Sequence, residues 1–276
     1  MTIQIIENFL NDDTCDEISK KVISLKKYWK NSNHKSEIYS DGLRIMQLGI
    51  SSDGIDAKIG AGYDPTINYI NQSEHEQALL TNINDEKETE IEFLFSNFGD
   101  LNILLEKKLT EILNKPCKFI ESGTYYGFNI QTDYKGFDQG RAWHYDDQVR
   151  FYSKLLLGDA KIYEQYSFTI AISIPHETYF DYYSNTYTEY KTNPWDGYDT
   201  PCKQHSGLIG NICKNDRCPH DPNDIISIKY EKGMILIQKG RYLHRPGKSF
   251  FNSTTESRIT IQFFATELDD VIWMYR

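Results

Sequence analysis

The sequence predicts a mainly β fold, a barrel or sandwich whose helices are confined to its N-terminal part. Three observations carry this. Of the 276 residues 20 are Tyr and 14 are Phe, types that suit a pleated, half-buried surface. Hydrophobic residues make up 39% and charged residues 25%, a globular balance with enough apolar mass for a large core. Beyond Pro116, helical periodicity gives way to short runs of Tyr, Phe, Ile and Thr separated by Gly, Asn and Asp turns.

The opening stretch "IQIIENFLNDDTCDEISKKVISLKKYW" reads as a short strand followed by a helix. Asn11 and Asp12 are good N-cap types, and Cys15, Ile18, Val22 and Leu25 recur at helical spacing. Residues 31–88 are rich in Asn, Ser, Asp and Gly and read as a loop-rich flap, with "LRIMQLGI" and "TINYINQ" as its strand-like pieces. From Ile91 to Leu113 a second helix is expected. Leu101, Leu104, Leu105, Leu109 and Leu113 share one face, and Pro116 lies just past its end. Strands follow at "KFIESGTYYGFNIQTDY", "YSFTIAISIP", "IISIKYEKGMILIQKG" and "RITIQFFATEL". No internal repeat or low-complexity linker divides the chain. It therefore reads as a single domain over 1–276, with a helical elaboration over about 1–115 and a β core over about 116–276.

The formal net charge of −10, without any basic stripe, argues against a nucleic-acid partner, because displacing counterions from phosphates needs clustered Lys and Arg. No apolar run is long enough to cross a membrane, so no membrane partner is expected. The N-terminus lacks the basic flank and apolar run of a secretory signal, and the five cysteines are an odd count. Both fit reduced thiols in a cytoplasmic setting. The sequence leaves the oligomeric state open.

The chemistry concentrates in "YKGFDQGRAWHYDDQVRF". On a strand, His144 and Asp146 share a face, with Tyr145 and Asp147 opposite. An imidazole and a carboxylate so placed can hold part of a metal site. A third ligand must come from a distant strand, and His244, at the end of the apolar strand in "GMILIQKGRYLHRPGKS", supplies it. Two histidines and a carboxylate leave adjacent positions open on iron, the arrangement of non-haem oxygenases. The competing reading is a surface ion pair between His144 and Asp146, with His244 capping a turn.

His-x-Asp, a distant His and then an Arg on the next strand resembles the Fe(II)/2-oxoglutarate-dependent dioxygenases. The closest likeness is to their prolyl 4-hydroxylase-like branch, in which a tyrosine and a glycine-containing turn precede the His-x-Asp as Tyr134 does here. The strand and helix that open the chain resemble that branch too. The resemblance spans the start and residues 120–270 and implies a double-stranded β-helix core, jelly-roll and cupin-like. It implies iron held by His144, Asp146 and His244, with O2 and 2-oxoglutarate as co-substrates and ascorbate as a stimulant. The far carboxylate of 2-oxoglutarate needs a buried planar cation, and Arg258, with Thr260 on the same strand face, fits that role. Thirteen residues separate His244 from Arg258, a longer span than much of the family shows, absorbed by a turn at "FFNSTTES". Arg245 and Lys248 are the other cations near His244. Tyr134, Thr260, Tyr126 and Asn129 are alternatives for the polar contact opposite the arginine.

A second cluster, "PCKQHSGLIGNICKNDRCPHDPND", holds Cys202, His205, Cys213 and Cys218. Two readings stand: a structural zinc site built from C-x₂-H and C-x₄-C pairs, or an ordinary loop with small buried thiols. The aromatic stretch "HETYFDYYSNTYTEYKTNPWDGYDTP" reads either as a wall of the substrate pocket or as a surface loop held by its own rings.

The expected activity is hydroxylation of an unactivated C–H bond in a small molecule, an amino acid or a derivative of one. The carboxylate at Asp146 excludes the related halogenases, which have a small residue there. The alternatives are a protein or peptide hydroxylase of the prolyl type and a non-oxygenase, cupin-like metal-binding protein.

Overall fold

The computed structural model describes residues 2–31, 44–48, 92–120, 127–132, 164–175, 177–184, 222–239, 244–250 and 256–275. Strand β1 (Thr2–Ile6) leads into helix α1 (Asp12–Ser24), and the expected cap is present: the Asn11 side chain accepts a hydrogen bond from the Thr14 N–H at 2.8 Å. Cys15, Ile18 and Val22 form the buried face of α1, and Asp12 and Asp13 sit in its first turn, where they favour the helix dipole. A short 3₁₀ turn (Lys26–Tyr28) ends this unit, with the Trp29 indole N–H donating back to the Val22 carbonyl.

The single helix expected from Ile91 to Leu113 is two segments, α2 over residues 92–98 and α3 over Asp100–Leu113. The interruption falls at Gly99, the poorest helix former in the stretch, whose backbone angles stay helical (φ −46°, ψ −36°). Asn114, in the left-handed conformation at φ 52°, ends α3 two residues before Pro116.

Among the described residues the strands form two sheets. β2 (Lys30–Asn31), β3 (Arg44–Leu48), β5 (Gly127–Thr132), β11 (Arg258–Leu268), β6 (Glu164–Ser173), β9 (Ile235–Lys239) and β1 lie in the order β2-β3-β5-β11-β6-β9-β1. β12 (Val271–Tyr275) and β4 (Cys117–Phe119) extend this larger sheet from β11. The smaller sheet runs β10-β7-β8, from β7 (Glu177–Tyr183), β8 (Ile225–Lys229) and β10 (His244–Phe250). From β6 onward the chain passes to β7 and β8 in the smaller sheet, back to β9, across to β10, and back to β11, pairing antiparallel throughout. This alternate winding between two sheets is a jelly roll. The core is a double-stranded β-helix.

Two expectations change here. "ETYFDYY", expected as pocket wall or surface loop, is the central strand of the smaller sheet. His244 does not close the apolar strand; β9 stops at Lys239, and His244 opens β10, paired with Tyr182.

The larger sheet has two different faces. One carries Phe128, Ile130, Phe168, Ile170, Ile172, Ile235, Ile237, Ile259, Ile261 and Phe263, which pack with the buried faces of α1, α2 and α3 into one apolar core. The turn between β8 and β9 locks α1 to the sheet. Gly233 has φ +80°, its N–H donates to the Ala171 carbonyl at 2.8 Å, and its carbonyl accepts from the Leu10 N–H at 2.9 Å. A Cβ at Gly233 would stand 2.1 Å from the Leu10 carbonyl oxygen, so both the conformation and the approach need glycine.

Candidate functional site

Alternation along the strands puts a different set of residues on the other face of the larger sheet. In register, Arg258 stands opposite Gln131, Thr260 opposite Asn129 and Ala171, Gln262 opposite Thr169, and Ser167 opposite Gln238. This face meets the smaller sheet, because Ala171 and Leu236 pack there with Phe180 and Tyr230. Facing sheets ordinarily bury apolar side chains against each other. Here the larger sheet instead buries Gln131, Ser167, Thr169, Gln238, Arg258 and Thr260. Buried polar groups are stable only with partners, and on this face Gln131 Oε1, Ser167 Oγ, and Arg258 Nε and Nη1 have none among the described residues. A bulge between Ile259 and Thr260, where β11 shifts register against β6, re-aims side chains beside it.

Arg258 is the charged member of this wall. It is 4% exposed, and its Nε and Nη1 have no hydrogen-bond partner among the described residues. Its guanidinium lies 5.0 Å from the centre of the Tyr230 ring. Burial lowers its pKa from the ordinary guanidinium value, and Tyr230 opposes that through its charge and a hydrogen bond. Even so, a guanidinium stays a cation near neutral pH.

His244 enters the same space from the smaller sheet. It is 4% exposed and stacks on Phe180, ring centres 5.4 Å apart at 29°. Phe180 in turn meets Tyr230 edge-on at 6.3 Å. These contacts link the histidine, through two rings, to the arginine. Tyr230 is held at the level of Thr178, whose carbonyl accepts its N–H at 2.8 Å, whereas His244 pairs with Tyr182. The two levels are four residues apart on β7, about 13 Å of strand.

The other cations near His244 are directed elsewhere. Arg245 points to the opposite face of β10, where its Nε donates to Asp181 Oδ2 at 2.9 Å, and Ser227 Oγ donates to Asp181 Oδ1 at 2.6 Å. These three residues are in register across β10, β7 and β8 and form a clasp beside the histidine. Gly247 makes room for it, since a Cβ there would stand 2.6 Å from Asp181 Oδ1. Lys248 is exposed.

Of the expected site residues, His244, Arg258 and Thr260 are therefore brought to the space between the sheets. His144, Asp146, Tyr134 and Tyr126, and the second cluster of Cys202, His205, Cys213 and Cys218, lie outside the described residues. Asn129 shares the polar face, with its amide N–H donating to Gln262 Oε1 at 2.7 Å. Among the described residues no three His, Cys, Asp or Glu side chains form a metal-binding group. Sequence reasoning missed Tyr230, Phe180 and Gln131. The alternation of polar residues in "GFNIQT" and "RITIQF" was the available signal for the last, and none marked the first two.

No protein-family model matches the chain, and no curated protein matches it significantly. Among solved structures, the non-haem alpha-ketoglutarate-dependent epimerase SnoN from nogalamycin biosynthesis is 11% identical at a TM-score of 0.45, covering 96% of this chain and 79% of its own. An N-substituted L-amino acid dioxygenase from Burkholderia ambifaria AMMD is 11% identical at 0.38, covering 85% and 86%. OsALKBH1 is 14% identical at 0.37, covering 94% and 96%. These likenesses are weaker than the order of the strands, and the fold assignment rests on the latter. No described helix is long and apolar enough to cross a membrane.

Proposed function

We propose that this chain is an Fe(II)- and 2-oxoglutarate-dependent oxygenase that hydroxylates an unactivated C–H bond of a small molecule, an amino acid or a derivative of one. The observation that carries this reading is Arg258. A buried guanidinium with two donors unpaired among the described residues, on a polar face between the two sheets, is a receptor for an anion. A purely structural arginine at 4% exposure would have a carboxylate or carbonyl on those donors.

In this reading His244 completes an iron site with His144 and Asp146, which lie in the sequence between β5 and β6. When bound, iron with 2-oxoglutarate supplies the dioxygen-activating chemistry, converting the keto acid to succinate and CO2. The chain's own part is positional. Arg258 Nε and Nη1 donate to the far carboxylate, Tyr230 fixes the guanidinium plane, Thr260 lies next along the same face with Tyr134 as a further co-substrate contact, and Phe180 holds the imidazole. The whole chain, 1–276, is taken as one catalytic domain.

The test is turnover. Full-length protein with Fe(II), ascorbate and 2-oxoglutarate should release succinate, and a panel of free amino acids, their derivatives and peptides should yield one product heavier by a single oxygen. Succinate release stimulated only by proteins or long peptides would make the enzyme a peptide hydroxylase. Tight metal binding with no effect of the keto acid would make it a cupin-like binding protein.

A further inference from the structure

Gln131 stands directly opposite Arg258 on the paired strands β5 and β11. Opposed residues of an antiparallel pair have Cβ atoms about 5 Å apart, within reach of each other's polar ends. Gln131 is 6% exposed, and its Oε1, like Arg258 Nε and Nη1, has no hydrogen-bond partner among the described residues. A carboxamide oxygen is a good acceptor for a guanidinium N–H, so the two could satisfy each other. They do not. Two adjacent buried groups left unpaired on the same face leave room for a third, inserted between them.

We infer that Gln131 is a second binding residue for the far carboxylate of the co-substrate, donating from its amide nitrogen beside the guanidinium of Arg258, and that it sets the preference for a keto acid with a second carboxylate. This rests on the function proposed above and extends it. A half turn about the terminal torsion of glutamine, which is broad and two-fold, exchanges Oε1 for Nε2 in the same place. The carboxylate would then accept from Arg258 on one side and from Gln131 on the other. A hydrogen bond from a neutral amide to a carboxylate in a dry site is oriented and short-ranged, so it discriminates by length as well as by charge.

The experiment is equilibrium titration of the full chain, loaded with Mn(II) in place of iron, with 2-oxoglutarate and with 2-oxobutyrate, which lacks the second carboxylate. Wild-type protein should bind 2-oxoglutarate the more tightly. Gln131→Leu should weaken 2-oxoglutarate by roughly tenfold or more and leave 2-oxobutyrate unchanged. Gln131→Glu should weaken 2-oxoglutarate further still, because the new carboxylate occupies Arg258 itself. Thermal melting of each variant establishes that it is folded. If Gln131→Leu keeps the wild-type ratio of affinities for the two acids, by leaving both unchanged or by weakening both equally, Gln131 has no such role. If wild type itself does not discriminate, the co-substrate reading of Arg258 fails and Gln131 falls with it.

Discussion

Arg258→Met should do two opposite things, and the structure gives both signs. Without co-substrate, the wild-type guanidinium is buried with Nε and Nη1 unpaired among the described residues. Each such donor costs about 1–3 kcal/mol. Methionine removes both, follows a similar path through the interior, and gives up the contact with the Tyr230 ring, worth about 0.5–2 kcal/mol. Taking the lower end of each range, the ligand-free variant gains about 1.5 kcal/mol, a rise in Tm of roughly 3–6 °C for a chain of this size. Binding moves the other way. A co-substrate carboxylate buried without its cation costs on the order of 3–5 kcal/mol, so the Kd for 2-oxoglutarate should rise at least about 100-fold. Differential scanning fluorimetry with and without 2-oxoglutarate reads both effects. Wild type should be stabilised by the keto acid and the variant should not. A ligand-free variant that melts several degrees lower, with its Kd within threefold of wild type, would show that Arg258 is a paired structural cation and would refute the reasoning.

His144→Ala, Asp146→Ala and His244→Ala should each abolish Fe(II) binding or turnover, read by metal titration and succinate release, while circular dichroism stays that of the folded chain. Turnover within a few-fold of wild type in any of them would remove that residue from the iron site. Glu267 accepts from Lys115 and from the Tyr166 hydroxyl, and the Lys115 contact above all holds its carboxyl below the usual range. A lowered folded-state pKa stabilises above the unfolded-state value and is lost as pH falls through the folded one. The stability gap between wild type and Glu267→Gln should therefore be full at pH 7 and shrink below about pH 4.5 in pH-resolved urea melts. Burial pushes the Cys15 thiol up to about 11 and the Cys117 thiol up to about 12, so a thiol reagent at pH 8 should label at most three of the five cysteines in the native protein. If Cys202, His205, Cys213 and Cys218 hold zinc, metal analysis should find about one zinc per chain and chelation should speed that labelling; neither effect would leave an ordinary loop. Gly233→Ala should destabilise by on the order of 3 kcal/mol in urea melts, from the positive φ and the close Leu10 carbonyl together.

Local chemistry wrote much of this protein in a form that can be read along the chain. Asn11 is a cap because its short side chain reaches an N–H three residues on, and Cys15, Ile18 and Val22 are buried because a period of 3.6 puts them on one stripe. "RITIQFFATEL" is a strand from Arg258 to Leu268, as its β-branched and aromatic composition implies. The alternation that sends Ile259, Ile261 and Phe263 to the apolar core and Arg258, Thr260 and Gln262 to the other face follows from the pleat alone. What that other face meets is not a local property. "ETYFDYY" carries aromatic residues on both faces, so periodicity gives no sign that it is a central strand; its pairing with β10 and β8, far off in sequence, makes it one. For the same reason no window of sequence joins His244 to Phe180, Phe180 to Tyr230 and Tyr230 to Arg258. The sequence determined which groups could bind an anion; the winding of the chain between two sheets decided that one guanidinium would be buried on the face between them with two of its donors unpaired among the described residues, because only long-range pairing can take a charge out of water.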